Sequence, residues 1–297
     1  MTMQTVLAAE QSELVDSIRV AVPERGLRHD ARAVAVVWRR ELIRFRTDRL
    51  RAVTSLVQPI LFLFVLGTGL SSLASRGMPP GLSFKTFIYP GVLAMSVLFT
   101  AIFSAASIVW DREFGFLREI LVAPVSRGSI VVGKCLGGAT IATFQGVIFL
   151  ALAGFADVPY NPELIAILVG ELLLLSFTLT AFGVMMAARI KQFQAFMALT
   201  QMLVLPLFFL SGALYPLNGL PTWLTALTRI DPITYIVGPM RHAVFAHLTI
   251  PGFEQHLLAP AITWAGWAVP QWIALGIVAV MGASMMGVAI IEFRKTE

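Results

Sequence analysis

Six apolar runs, each long enough to cross a lipid bilayer, constrain this chain more than any other feature. They are Val53–Leu70, Phe87–Trp110, Ile130–Phe155, Leu164–Ala188, Phe193–Leu214 and Val269–Ile291. A spanning helix needs about 20 mostly apolar residues. Barrel strands would instead alternate over roughly ten residues. These runs are longer and apolar on every face, so they read as helices. Charge, proline or glycine separates each run from the next, as in Ser75–Pro80 and Asp157–Pro162. Composition agrees: 57% of the 297 residues are hydrophobic and 13% charged, with a mean hydropathy of +0.81. A soluble domain carries about a quarter charged residues. A water-soluble enzyme and a disordered chain are both excluded. The expected fold is an all-α membrane protein with six transmembrane helices. Cys135, the one cysteine, permits no intramolecular disulfide and so reports no redox compartment.

The basic residues set the expected orientation. Of the 22 Lys and Arg, ten precede the first run, and Arg112, Arg118, Arg127 and Lys134 flank the loop between runs two and three. Arg189 and Lys191 lie between runs four and five, and Arg294 and Lys295 follow run six. If the runs alternate in direction, these eighteen share one side of the membrane and only Arg76, Lys85, Arg229 and Arg241 fall on the other. The positive-inside rule then places both termini in the cytoplasm. A cleavable signal peptide would bring its apolar segment near the start, whereas Val53 follows a polar stretch containing Glu10, Glu13, Asp16 and Glu24. The arm is therefore expected to persist, with residues 1–33 and 292–297 as cytoplasmic tails.

Residues 34–52 read as an amphipathic helix. Val34, Trp38, Leu42 and Phe45 recur at spacings of four, four and three, flanked by Arg32, Arg39, Arg40, Arg44 and Arg46. Such a helix lies in the plane of the inner leaflet. Its arginines meet anionic headgroups, each worth about 1 kcal/mol near the surface. The plainer reading is a charge cluster that only directs insertion. Nucleic acid is not an expected partner, because the stripe runs straight into a membrane span.

After Trp110 the chain leaves the membrane through Asp111-Arg112-Glu113-Phe114-Gly115-Phe116-Leu117-Arg118-Glu119, then the short apolar turn Ile120-Leu121-Val122, which Pro124 terminates. An apolar face with no partner in its own chain marks a protein contact. The alternative is an amphipathic loop lying on lipid. Between runs five and six, Leu214–Leu224, Asp231–Pro239 and Met240–Ala246 are apolar, rich in proline and glycine, and too short to cross. Short helices dipping partway into the bilayer fit this pattern, provided that protein covers their irregular backbone. A globular cap is the other possibility.

The stretch from Tyr89-Pro90-Gly91 through Asp111-Arg112-Glu113-Phe114-Gly115 to Pro124-Val125-Ser126-Arg127 and Gly133-Lys134 resembles the ABC-2 family of ATP-binding-cassette permeases. The likeness is greatest to the daunorubicin-resistance and nodulation-factor-export branch, and it runs from about Trp38 to Ile291. The resemblance implies a type V exporter-like fold with six spans, an interface helix carrying Trp38, Arg40, Leu42 and Phe45, and an extracellular re-entrant hairpin over residues 213–246. It also implies a coupling helix at about residues 119–127, with Arg112, Glu113, Arg118, Glu119, Ile120, Leu121, Pro124 and Arg127 engaging an ATPase. The implied assembly is a homodimer of permeases with two copies of a cytoplasmic ABC ATPase subunit, which holds ATP and Mg. The chain itself would be no enzyme and hold no cofactor. The implied setting is the inner (plasma) membrane of a prokaryote. The implied activity is export of an amphipathic drug-like molecule, a lipid or a lipid-linked saccharide.

Gly128–Cys135 comes close to a phosphate-binding loop but has Cys135 where the hydroxyl that ligates Mg²⁺ should stand. It also leads into a membrane span rather than following a strand. His242, His247, Glu254 and His256 match no common zinc spacing, so no metal site is expected. Glu171 lies inside run four, where a carboxylate is a functional candidate by default. It could equally be a neutral acid bonded to a neighbouring helix or a side chain near the headgroups. Gln145 and Gln201 read as inter-helix hydrogen bonds more readily than as cargo contacts, and Gly133, Gly137 and Gly138 as sites of close helix packing. Glu171, Gln201, Phe208, Phe209 and Tyr215 are the candidates for a substrate path, although aromatics facing lipid are equally ordinary. The rival function is a secondary transporter driven by an ion gradient, with Glu171 as its proton site. Such folds carry internal repeats, and none is visible here. A membrane enzyme finds no convincing catalytic set.

Overall fold

The computed structural model describes residues 26–71, 82–115, 125–217, 219–248, 262–264 and 267–295. Helix α1 (Leu27–Thr47) starts after an extended Gly26 and ends at Asp48. Helix α2 (Arg49–Leu61) continues through a π-helical turn at Phe62–Leu66 to Gly69, with Pro59 inside it. Proline removes one rung of the helical ladder, and π turns accommodate such gaps. Helices α3 (Phe84–Ser104) and α4 (Ala106–Glu113) form one long rod with a tight turn at Ala105. There the Ser104 and Ser107 hydroxyls donate back to Ala101 O at 2.7 Å and Ser104 O at 3.0 Å, a habit that bends helices. Helices α5 (Arg127–Leu150), α6 (Pro162–Arg189), α7 (Phe193–Leu210) and α10 (Gln271–Lys295) follow, with the short α8 (Thr222–Thr228) and α9 (Thr234–Ala246) between α7 and α10. A small antiparallel hairpin pairs Thr263–Trp264 with Trp267–Ala268.

Local chemistry sets the helix starts. Ser83, Ser126 and Asn161 each accept a backbone N–H of the first turn, at 3.2, 3.2 and 2.9 Å, and Pro162 occupies the first position of α6. Among the described residues, six helices are long and apolar enough to span a membrane: Ala52–Gly69, Phe84–Glu113, Arg127–Leu150, Pro162–Arg189, Phe193–Leu210 and Gln271–Lys295. The second, third and fourth spans form the centre, with 83%, 67% and 56% of their apolar windows buried. The first, fifth and sixth reach only 17%, 22% and 22%, leaving most of their surface to lipid or another chain.

Lipid is as apolar as leucine, so helices associate in it by close packing and by hydrogen bonds between helices. Both are present. A Cβ on Gly133 would lie 2.7 Å from Val37 Cβ, and one on Gly137 2.7 Å from Glu41 Cβ, so these glycines let α1 seat directly on the third span. Gln145 supplies the polar link. It donates to the Ser55 hydroxyl of the first span and accepts from Thr100 of the second at 2.7 Å. Three spans are thus tied by one amide.

At one end of the bundle, α9 packs against the second, fourth and sixth spans, and α8 meets the fifth. Asp231 accepts from Ile233 N at 3.0 Å and from the Thr234 hydroxyl at 3.4 Å, closing the start of α9. Arg241 of α9 is buried and donates to Phe87 O at 3.3 Å, Gly212 O at 2.8 Å and Ala213 O at 3.1 Å. Its guanidinium lies 4.2 Å from the centre of the Phe87 ring. The opposite end gathers most of the charge.

Candidate functional site: the charged end of the bundle

The second span ends in Asp111-Arg112-Glu113, and each of the three charges fastens it to a different element. Asp111, 3% exposed, accepts from Arg40 of α1 and from Lys134 of the third span, both at 3.2 Å, with Arg44 at 3.8 Å. Lys134 is buried as well, and its Nζ lies 2.7 Å from Glu41 Oε1 and donates to Ser107 at 2.9 Å. A buried charge is tolerated only when paired and hydrogen-bonded. Here a lysine inside a span meets two carboxylates, one from α1 and one from the second span.

Arg112 turns the other way. Its Nη1 donates to Ala187 O at 2.9 Å and Ile190 O at 2.7 Å, the open carbonyls at the end of the fourth span. Glu113 accepts the Phe193 N–H at 2.7 Å, at the first residue of the fifth span, where a carboxylate complements the helix dipole. Trp110 packs edge-on against Phe193 with ring centres 5.1 Å apart. On the return side of the loop, Arg127 donates to Phe293 O at 3.3 Å and Arg294 O at 2.9 Å, closing the sixth span. The loop between spans two and three therefore stands on two stems, which hold α1 and the neighbouring ends of the fourth, fifth and sixth spans. Asp30 reaches the same corner from α1, where the Ser126 hydroxyl holds its carboxyl below the usual carboxylate range.

The residues expected from sequence fall into four groups. Arg112, Glu113 and Arg127 stand in the stems, although Arg127 opens the third span rather than closing a loop helix, because Ser126 caps it. Arg118, Glu119, Ile120, Leu121 and Pro124 lie outside the described residues, as do Glu254 and His256. On α1, Arg40 bonds Asp111, Trp38 donates to Thr140 at 3.1 Å, and Leu42 and Phe45 are half-buried. The helix starts at Leu27, seven residues before the amphipathic stripe. The path candidates do not gather around this end. Phe208 is buried edge-on to Phe62 at 5.6 Å, Tyr215 donates to Phe209 O at 2.8 Å, and Gln201 is exposed on α7. Glu171 is buried, and its Oε2 has no hydrogen-bond partner among the described residues. Among the described residues no group of three or more metal-ligating side chains occurs. The glycine-rich start of the third span is continuous helix, and its lysine is Lys134 of the ion cluster.

Glu41, Asp111 and Lys134 were not singled out as site residues from the sequence. The signal available was Lys134 within an apolar run, since a charge in that position demands acids elsewhere to meet it.

Six long apolar helices among the described residues, packed around a buried core, make this a multi-pass helical membrane protein. Residues 32–245 match the ABC-2 type transporter family, and the chain belongs to it. The ycf38 protein of Cyanophora paradoxa, named as a transport permease, is 30% identical over 209 residues, covering 69% of this chain and 72% of that one. The inner membrane transport permease YadH of Escherichia coli K12 is 28% identical over 224 residues, covering 74% and 85%. YbhR of the same strain, named as a multidrug ABC transporter permease, is 31% identical over 159 residues, covering 52% of this chain and 43% of its own length. Membership makes the chain the permease component of an ABC transporter and implies a partner ABC ATPase.

Proposed function

We propose that this chain is the membrane permease of an exporter in which two copies pair with two cytoplasmic ATPase subunits. The loop between spans two and three receives the ATPase, and both termini face the same compartment. Closure of the ATPase dimer pushes on that loop, and the stems pass the motion to the spans. The observation that supports this reading is the anchoring of those stems. Asp111, Arg112, Glu113 and Arg127 grip α1, the end of the fourth span, the start of the fifth and the end of the sixth. A push at the loop cannot stay local when its base is tied to so many helix ends. The cargo is an amphipathic drug-like molecule or lipid, in keeping with the multidrug name carried by YbhR. The short helices α8 and α9 act as the re-entrant closure at the extracellular end.

The test is reconstitution of the chain with its ATPase in proteoliposomes. ATP-dependent transport is expected, and Arg118→Ala with Glu119→Ala should abolish it while ATP hydrolysis and membrane insertion persist. Normal transport by that variant would sink the coupling role. The buried Glu171 oxygen, which has no hydrogen-bond partner among the described residues, favours the ion-driven rival. Transport that needs a proton gradient but no ATPase, and that Glu171→Gln abolishes, would select that rival.

A further inference from the structure

At the pole opposite the charged end, a patch of apolar side chains stands exposed. Four of the chain's six tryptophans lie there: Trp223 on α8, Trp264 and Trp267 on the small hairpin, and Trp272 at the head of the sixth span. Trp223, Leu227 and Ile230 recur at spacings of four and three, one face of a helical turn, and all three are exposed. Trp264 and Trp267 stand directly opposite each other across the two strands, so their side chains leave the same face of the ribbon. The two parts are joined. Arg229, at the end of α8, donates to Thr263 O at 2.7 Å. Trp264 Nε1 donates to the Tyr235 hydroxyl of α9 at 3.2 Å, and that hydroxyl donates to Arg229 O at 2.9 Å. Residues 219–228 and 262–270 carry no charge.

Bulk water and lipid tails both fit this patch poorly. Exposed indole and aliphatic surface of this kind is unfavourable in water. Hydrocarbon is closed to the hairpin, because a two-stranded ribbon has open edges whose backbone N–H and C=O groups find no partner among lipid tails. The layer between them, where lipid glycerol and carbonyl groups mix with water, accepts both the rings and the polar edges, and tryptophan concentrates there. Chain reach agrees. Trp267 stands four residues before Gln271, where the sixth span begins, so it lies no more than about 14 Å from that point. We propose that α8 and the hairpin form a foot that rests in this neutral interfacial layer and sets the depth of the corner between α8 and α9. The foot requires only that the chain spans a bilayer, so it stands apart from the exporter reading.

The test uses the full chain in nanodiscs of phosphatidylcholine, a small fraction of which carries a photoactivated diazirine either beside the acyl carbonyl or at the end of the acyl tail. Adducts are mapped by mass spectrometry, and a parallel sample is oxidised by hydroxyl radicals generated in the water. The carbonyl-level probe should mark Trp223 and Trp267 at least about threefold more than the tail-end probe. Both rings should be oxidised at least about threefold more slowly than in the denatured chain. Exchanging part of the phosphatidylcholine for phosphatidylglycerol should change the labelling by less than about twofold, since the foot carries no basic cluster. A stronger dependence on the anionic lipid overturns the neutral layer. Oxidation at the denatured rate without lipid adducts places the patch in water. Protection without adducts places it under protein, such as a second copy of this chain, and dominant tail-end labelling places it in hydrocarbon. Any of these three outcomes overturns the foot. Trp223→Ser with Trp267→Ser removes two exposed rings and keeps the hydrogen bonds that Arg229 and Trp264 make. It should lower carbonyl-level labelling of Ile230 at least about threefold. An unchanged Ile230 pattern overturns the depth-setting role.

Discussion

Lys134 stands on a helix that is apolar around it, and it is held there by Glu41, Asp111 and Ser107. Removing one member of a buried ion pair strands the others, at a cost of about 3–5 kcal/mol, whereas replacing all of them with neutral groups is close to neutral. Lys134→Met should therefore lower the melting temperature in detergent by several degrees. Lys134→Met combined with Glu41→Gln and Asp111→Asn should recover most of that loss, read by tryptophan fluorescence. If the single change is harmless, the cluster does not hold α1 and the second span together. At this scale the sequence was partly legible. Gln145 and the glycines of the third span act as helix-to-helix contacts, as their positions in an apolar run suggested. Glu41 could not be read in the same way, because an acid among arginines on a polar arm resembles any solvated charge until the fold brings Lys134 beneath it.

Among the elements, α1 owes its place to two glycines and a lysine on the third span. Gly137→Leu puts a branched side chain where a Cβ alone would already lie 2.7 Å from Glu41. Overpacking of that kind costs about 1–3 kcal/mol. The expected outcome is faster hydrogen exchange over residues 27–47, with the spans themselves protected as before. The stems make a separate prediction. Arg112→Ala with Glu113→Ala removes the caps on the fourth and fifth spans. ATP hydrolysis should continue while transport falls at least severalfold in proteoliposomes, and unchanged transport would deny these caps a part in passing motion on. Element identity was readable because long apolar runs admit little but helix in lipid. Ends were less readable. The sixth span runs to Lys295 and α1 begins at Leu27, since polar flanks extend a helix without adding to its apolar signal.

At the scale of the whole molecule, the uneven burial of the spans is the main guide. The first and fifth spans leave Val53, Val57, Leu61, Val65, Met202 and Leu205 uncovered, and Gln201 sits among them on α7. A second copy of the permease packed there would cover that polar amide. Met202→Cys should then form an intermolecular disulfide in native membranes under mild oxidation. Cys135 is buried and should stay silent in that experiment. Monomer alone on a non-reducing gel would place the contact elsewhere. The apolar pattern alone does not separate the two cases, because a face turned to lipid and one turned to a twin share the same composition; the pairing of two copies came only from the family resemblance.

Arg241 adds one consequence at the opposite pole of the bundle. Its guanidinium spends its hydrogen bonds on backbone oxygens of two separate segments, Phe87 at the head of the second span and Gly212-Ala213 just past the fifth, with no carboxylate beside it among the described residues. Drawing those segments apart would strand a cation in a dry niche, so the head of the second span and the end of the fifth are bound to move as one piece at this pole.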